Sequence, residues 1–143
     1  MPNTLIVEDF LPIARTIASI LRRAGHQIVS EQTVAGALRL EGYFDFAVLD
    51  IDLPDGNGVV LAEMLLEAEQ IESAIFFTAT RDRDLLSRAA HWGVVVDKTH
   101  GVDPLLVAIQ RIEDSLAARH AVMANTAIPF VTHLPIYASA HRR

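Results

Sequence analysis

The chain has 143 residues, 51 % hydrophobic and 21 % charged, with a formal net charge of −6 and no cysteine. That length and composition suit one globular domain with a single core and exclude a disordered chain. The acidic balance gives no general attraction to a nucleic-acid backbone, and the missing thiols exclude disulfides, thiolate metal sites and thiol nucleophiles.

The opening run Met1-Pro2-Asn3-Thr4-Leu5-Ile6-Val7-Glu8-Asp9 has two acids and no basic stretch, so it does not read as a signal peptide. No apolar run reaches the roughly 20 residues needed to cross a bilayer. A cytoplasmic protein is expected, with neither membrane nor nucleic acid as a partner.

A first strand is predicted over Leu5–Glu8. The helix after it, from about Pro12 to Ala24, places Ile13, Ile17, Ile20, Leu21 and Ala24 on one face, with Gly25 as its stop. A strand over Gln27–Ser30 and a helix over about Val34–Glu41 come next. The third strand is expected over Phe46–Asp50 and the third helix over about Gly58–Glu69, with Val59, Ala62, Leu65 and Leu66 inward. Ala74–Thr78 and Val94–Asp97 are the last two strands, separated by a helix over about Asp82–His91. A fifth helix opens with Asp103 as cap and Pro104 in its first turn, then runs through Leu106, Ile109, Ile112 and Leu116.

Most of these strands are continuous apolar runs, as in a parallel sheet covered on both faces. Five βα units in a row predict an α/β fold: a doubly wound, flavodoxin-like, five-stranded parallel sheet of order 2-1-3-4-5 with helices on both faces. One domain over residues 1–119 is expected, with 120–143 as a C-terminal extension lacking its own fold. In that strand order, ligands bind at the carboxyl ends of strands one and three, which lie side by side.

The residues at the strand ends carry the chemistry. Strand one finishes in Glu8-Asp9, strand three in Asp50, strand four in Thr78 and strand five meets Lys98. Clustered carboxylates without histidine or cysteine suit a hard cation with oxygen ligands, Mg²⁺ above all. A lysine and a hydroxyl beside such a metal suit a phosphoryl group, and a carboxylate there can serve as nucleophile and form an aspartyl phosphate. Taken singly, Glu8-Asp9 is a polar strand end, Asp50 and Asp52 are turn formers before Pro54, Thr78 is a β-branched strand residue and Lys98 is a loop charge. Only their convergence on one sheet edge distinguishes them.

The stretch Val48-Leu49-Asp50-Ile51-Asp52-Leu53-Pro54-Asp55-Gly56-Asn57-Gly58 resembles the receiver domains of two-component response regulators, with their phosphoacceptor aspartate, Leu-Pro turn and closing glycine. Ile6-Val7-Glu8-Asp9 before it, and Thr78-Ala79 and Lys98 after it, extend the resemblance from Thr4 to about Leu116. The resemblance implies that Asp50 is the phosphoacceptor, with Thr78 bonding the phosphoryl oxygen, Ala79 leaving access to it and Lys98 pairing with its charge. It also implies that Mg²⁺ (or Mn²⁺) is held by Asp9, by Asp50, by Glu8 directly or through water, and by the backbone carbonyl of Asp52. The implied partners are a sensor histidine kinase or phosphotransfer protein and a downstream protein target. The implied role is that of a stand-alone switch, not a turnover enzyme.

Three positions depart from the family pattern. Val95 stands where an aromatic is usual, Thr99 replaces the proline that follows the lysine, and Gly93 lies only five positions ahead of Lys98, which shortens the preceding connection. A trans bond after Lys98 and a reshaped loop are expected. These departures favour one rival, a receiver-shaped binding module not controlled by phosphate. The other rival is an aspartate-nucleophile phosphohydrolase of the haloacid-dehalogenase type, suggested by Asp50-Ile51-Asp52. That family, however, places its nucleophile on the first strand and further acids after the lysine.

The six histidines lack metal-ligand spacing and read as surface or tail residues. The segment Ala121–Arg143 carries Ile128, Phe130, Val131, Leu134, Ile136 and Tyr137 among Pro129 and Pro135. It is expected to be extended, docked on its own domain or on a second copy in a homodimer.

Overall fold

The computed structural model describes residues 1–130, with side chains described through residue 125. The chain divides into two compact units, residues 1–109 and a second that begins at Gln110. In the first unit, β1 (Asn3–Val7), β3 (Phe44–Leu49) and β4 (Ile71–Thr78) are buried at nearly every position. Successive side chains on a strand point to opposite faces, so continuous burial means that both faces are covered. β2 (Gln27–Glu31) and β5 (Gly93–Asp97) carry more exposed positions and form the edges. All pairings within this sheet are parallel, and the order is β2-β1-β3-β4-β5, as expected. A short antiparallel hairpin pairs Asp52–Leu53 with Gly56–Asn57.

Four helices connect the strands, α1 (Leu11–Arg23), α2 (Val34–Leu38), α3 (Gly58–Glu67) and α4 (Arg83–Trp92), and α5 (Asp103–Phe130) follows β5. On one face of the sheet Leu5, Val7, Ala47, Leu49, Ala74 and Phe76 join Ala37 of α2, Val59, Ala62 and Leu65 of α3, and Ala89 of α4 in one core. The alternate strand residues Ile6, Phe46, Val48 and Ile75 are equally buried and point to the other face. There α1, which packs against β1 and β2, buries Ala14, Ile17, Ala18 and Leu21.

Local chemistry sets the helix ends. The side chains of Thr33, Asn57 and Asp82 accept from the first free N–H groups of α2, α3 and α4. Gly25, at φ +96°, turns the chain after α1.

Several boundaries differ from those read in the sequence. α2 ends at Leu38, not Glu41, because Leu40 N already bonds Ala37 O in a tightened last turn at 3.1 Å. β4 starts at Ile71. Asp103 is the first helical residue and not the cap: Leu106 N bonds the carbonyl of Val102 at 3.0 Å, and the aspartate instead complements the helix N-terminus with its charge. Helix α5 reaches Phe130, so Ala121–Phe130 is not extended. The segment before Pro129 is rich in alanine and free of glycine, so its helix propensity favours helix up to the proline near the helix end. Residues 131–143, and with them most of the expected docking segment, lie outside the described residues.

His26 is not a surface residue. It is buried, its Nδ1 lies 2.9 Å from Thr4 Oγ1, and its ring meets Phe46 edge-on with centroids 5.8 Å apart. An imidazole is mostly carbon, and one hydroxyl suffices to satisfy a ring nitrogen inside the core.

Helix α4 passes straight into β5. Gly93 closes the helix and opens the strand in fully extended conformation, at φ −175° and ψ −173°. Its glycine is required by close approach, since a Cβ there would stand 2.1 Å from the carbonyl oxygen of Ala74 on β4. Gly93→Ala is therefore expected to cost about 1–3 kcal/mol. Urea unfolding should show the midpoint falling with an unchanged slope, and an unchanged midpoint would show that the two strands part without penalty.

Candidate functional site

The backbone ladder carries two acids to the carboxyl edge of the sheet. Glu8 N donates to Glu31 O at 3.0 Å and Asp50 N to Val7 O at 2.9 Å, so each residue continues its strand's pairing one step beyond the strand proper. Thr78 is the last residue of β4, and Lys98 is the first after β5. Glu8, Asp50, Thr78 and Lys98 thus stand at one edge of the sheet.

Lys98 Nζ lies 2.5 Å from Glu8 Oε1 and 2.8 Å from Asp50 Oδ2. It is the sole lysine of the chain. Its ammonium also stands 6.0 Å from the centroid of the Phe77 ring. Glu8 Oε2 accepts from Phe10 N at 3.1 Å, and Asp50 Oδ1 accepts from Asp52 N at 3.3 Å. Thr78 is buried, and its Oγ1 accepts from Thr80 N at 3.2 Å. Asp9 and Asp52 are exposed, as is Ala79.

Charge and burial compete here. Burial pushes the Glu8 carboxyl above its ordinary range, and the hydrogen bond from Lys98 only partly offsets it. Burial pulls the Lys98 ammonium down, but the hydrogen bonds to Asp50 and Glu8 outweigh it and the net effect is upward. The lysine therefore stays charged between two buried acids.

One carboxylate oxygen each from Glu8, Asp9 and Asp50 lie within 4.8 Å of one another. This donor set is all oxygen and net acidic, open to solvent on the Asp9 side, and it fits a hard divalent cation.

The loop beyond Asp50 is held by backbone contacts. Gly58 N bonds Ile51 O at 2.9 Å, and a Cβ on Gly58 would lie 2.0 Å from the Asp50 carbonyl oxygen. The closing glycine of the motif is thus required by close packing against the Asp50 backbone. Asp55 Oδ1 and Oδ2 accept from Val34 N at 2.8 Å and Ala35 N at 2.9 Å, which latches the hairpin to the N-terminus of α2. The hydrogen bonds from Ala35 and Val34 lower its carboxyl. The sequence reading missed this bond; an acid after a Leu-Pro turn was its sole signal.

The peptide bond after Lys98 is trans, and among the described residues none is cis. In place of a proline-shaped loop, Lys98–His100 form a 3₁₀ turn capped by Asp97. That cap also escaped the sequence reading. Val95 is half-buried against the core, as a strand residue would be.

The family model of the response regulator receiver domain matches residues 4–110, and the chain belongs to that family. Among its relatives is the aerobic respiration control protein ArcA of Escherichia coli strain K12, 33 % identical over 86 residues, which are 59 % of this chain and 35 % of ArcA. Another is the chemotaxis protein CheY of Treponema pallidum, 26 % identical over 109 residues, 72 % of this chain and 73 % of that one. The receiver domain of HemR from Leptospira biflexa superposes with a TM-score of 0.71 at 29 % identity, over 78 % of this chain and 94 % of that one. The chain spans about a third of the length of ArcA. Receiver domains are phosphorylation switches in two-component signalling, and they bind Mg²⁺ at an acidic pocket.

Gly58→Ala should displace the Asp50 backbone and cost about 1–3 kcal/mol. Gly36→Ala should cost less, because its nearest obstacle is the flexible end of the Glu31 side chain. Equal urea midpoints for the two variants would contradict this account.

Proposed function

We propose that this receiver accepts a phosphoryl group on Asp50. The observation that carries the reading is the position of Asp50: a buried carboxylate held 2.8 Å from the chain's one lysine, beside the carboxylates of Glu8 and Asp9. A carboxylate oxygen of Asp50 attacks phosphorus, and the bond from phosphorus to the donor breaks. The electron pair leaves with the donor, an imidazole or a small carboxylate such as acetate. Lys98 balances charge on the transferred group, and the Thr78 hydroxyl donates to one of its oxygens. Glu8, Asp9 and Asp50, with the Asp52 carbonyl, would hold Mg²⁺ (or Mn²⁺), which when bound neutralises the charge that gathers between donor and acceptor. The donor in this reading is a sensor histidine kinase or phosphotransfer protein in the cytoplasm, and the output is contact with another protein. The acidic net charge supports a protein target over a nucleic acid.

With Mg²⁺ and acetyl phosphate, intact-mass measurement should show one phosphoryl group gained. Asp50→Asn should abolish labelling and Asp9→Asn should slow it. Labelling of Asp50→Asn equal to that of the unaltered chain would overturn the assignment, and rapid turnover of a generic phosphate ester would favour a phosphohydrolase. Mg²⁺ should raise the melting temperature of the unaltered chain more than that of Asp9→Asn, because binding to the folded state alone stabilises it.

Asp52 and Thr80 each follow a site residue by two positions, and their backbone N–H groups already bond Asp50 Oδ1 and Thr78 Oγ1. Asp52→Asn and Thr80→Ala should each change the dephosphorylation rate severalfold, about 1 kcal/mol in barrier. Unchanged rates in both would exclude a role for these side chains at the site of water attack.

A further inference from the structure

Lys98 stands in an exacting position on an insecure foundation. It follows an edge strand with a single neighbour, and a long, flexible side chain must hold two contacts at 2.5 and 2.8 Å. The turn that bears it is fixed by the preceding residue. Asp97 Oδ1 accepts from Thr99 N at 2.8 Å and from Thr99 Oγ1 at 2.7 Å. Thr99 N is one of the donors that the first turn of a helix leaves without a partner, so Asp97 is a full N-cap.

The other carboxylate oxygen, Asp97 Oδ2, lies 3.3 Å from Arg81 Nη1 and 3.8 Å from His100 Nε2. Arg81 comes three residues after Thr78, so the same carboxylate reaches the loop that leaves β4. Gly101 N closes the turn on Lys98 O at 3.1 Å, and Gly101 takes φ +81°, a conformation that favours glycine.

We propose that Asp97 is a positioning residue, whose cap on the Lys98–His100 turn holds the lysine ammonium against Asp50 and Glu8. The consequence for phosphorylation rests on the role given to Lys98 above; the geometry does not. The cap is the main contact and the ion pair the lesser one, since Arg81 is 73 % exposed and pairs of that kind contribute little. The hydrogen bonds from Thr99, backbone first and then side chain, lower the Asp97 carboxyl to about 2, so the acceptor is charged throughout the neutral range.

The single lysine makes a direct test available. Under trace acetic anhydride, the chain offers two amines, the Met1 α-amine and Lys98. Peptide mapping gives the reactivity of Lys98 with the terminus as internal standard. Asp97→Ala should raise Lys98 acylation about fivefold, the loss of one good cap, and should slow Asp50 labelling by acetyl phosphate by a similar factor. Asp97→Asn keeps an acceptor oxygen and should restore both. Thr99→Val, which removes only the hydroxyl donor, should give an intermediate rise and serves if Asp97→Ala does not fold. Unchanged Lys98 reactivity in Asp97→Ala and Thr99→Val would overturn the proposal. So would an Asp97→Asn variant as reactive as Asp97→Ala, whereas raised reactivity with undiminished Asp50 labelling would overturn the role given to Lys98 above. If the unaltered chain takes no label, the phosphoacceptor reading fails, while Lys98 acylation still decides whether Asp97 holds the turn.

Discussion

The site depends on one cation reaching two buried anions. Strand spacing explains why its side chain must be long. β5 lies two strands from β3, and at about 4.8 Å per step the gap exceeds what any short side chain spans. Lys98 crosses above the end of β4, with Phe77 near its ammonium and Ala79 exposed beyond it. Without that charge, the buried Glu8 carboxyl, already pushed upward by desolvation, would lose the hydrogen bond from Lys98 that partly offsets it. The ammonium thus offsets part of the burial cost borne by Glu8.

The anionic side of the arrangement is built mostly from backbone. The ladder from β1 and β3 sets Glu8 and Asp50, Gly58 packs directly on the Asp50 carbonyl, and Asp55 fastens the intervening hairpin to α2. These contacts are short and stiff, so the acceptor has little positional freedom. The cationic side is different in kind, being one flexible side chain on an edge strand with a capped turn behind it.

The central strands and the convergence of Glu8, Asp9, Asp50, Thr78 and Lys98 were legible because burial on both faces writes continuous apolar runs and because strand ends in this topology share one edge. Less was legible where the deciding contact is distant in sequence or purely backbone. Asp55 bonds N–H groups some 20 residues earlier. His26 looked polar because its residue type says nothing of the Thr4 hydroxyl waiting across the ladder. Asp97 sat in plain view beside the lysine, but its effect depends on Thr99 folding back, which residue types alone do not announce. In α5 Pro129 was read as forcing an extended segment, whereas the helix continues through it to Phe130.

The direct passage of α4 into β5 has a mechanical consequence. A loop between helix and strand would act as slack, letting the helix slide along its axis while the strand stayed in register. Here the slack is zero: Trp92 ends the helix and Gly93 is already laddered to Ala74. Axial travel of α4 is therefore also travel of β5, opposed by the Ala74 carbonyl, and it arrives five residues later at Lys98. Any swing of the helix about Gly93 likewise bears directly on the strand that ends in the lysine turn.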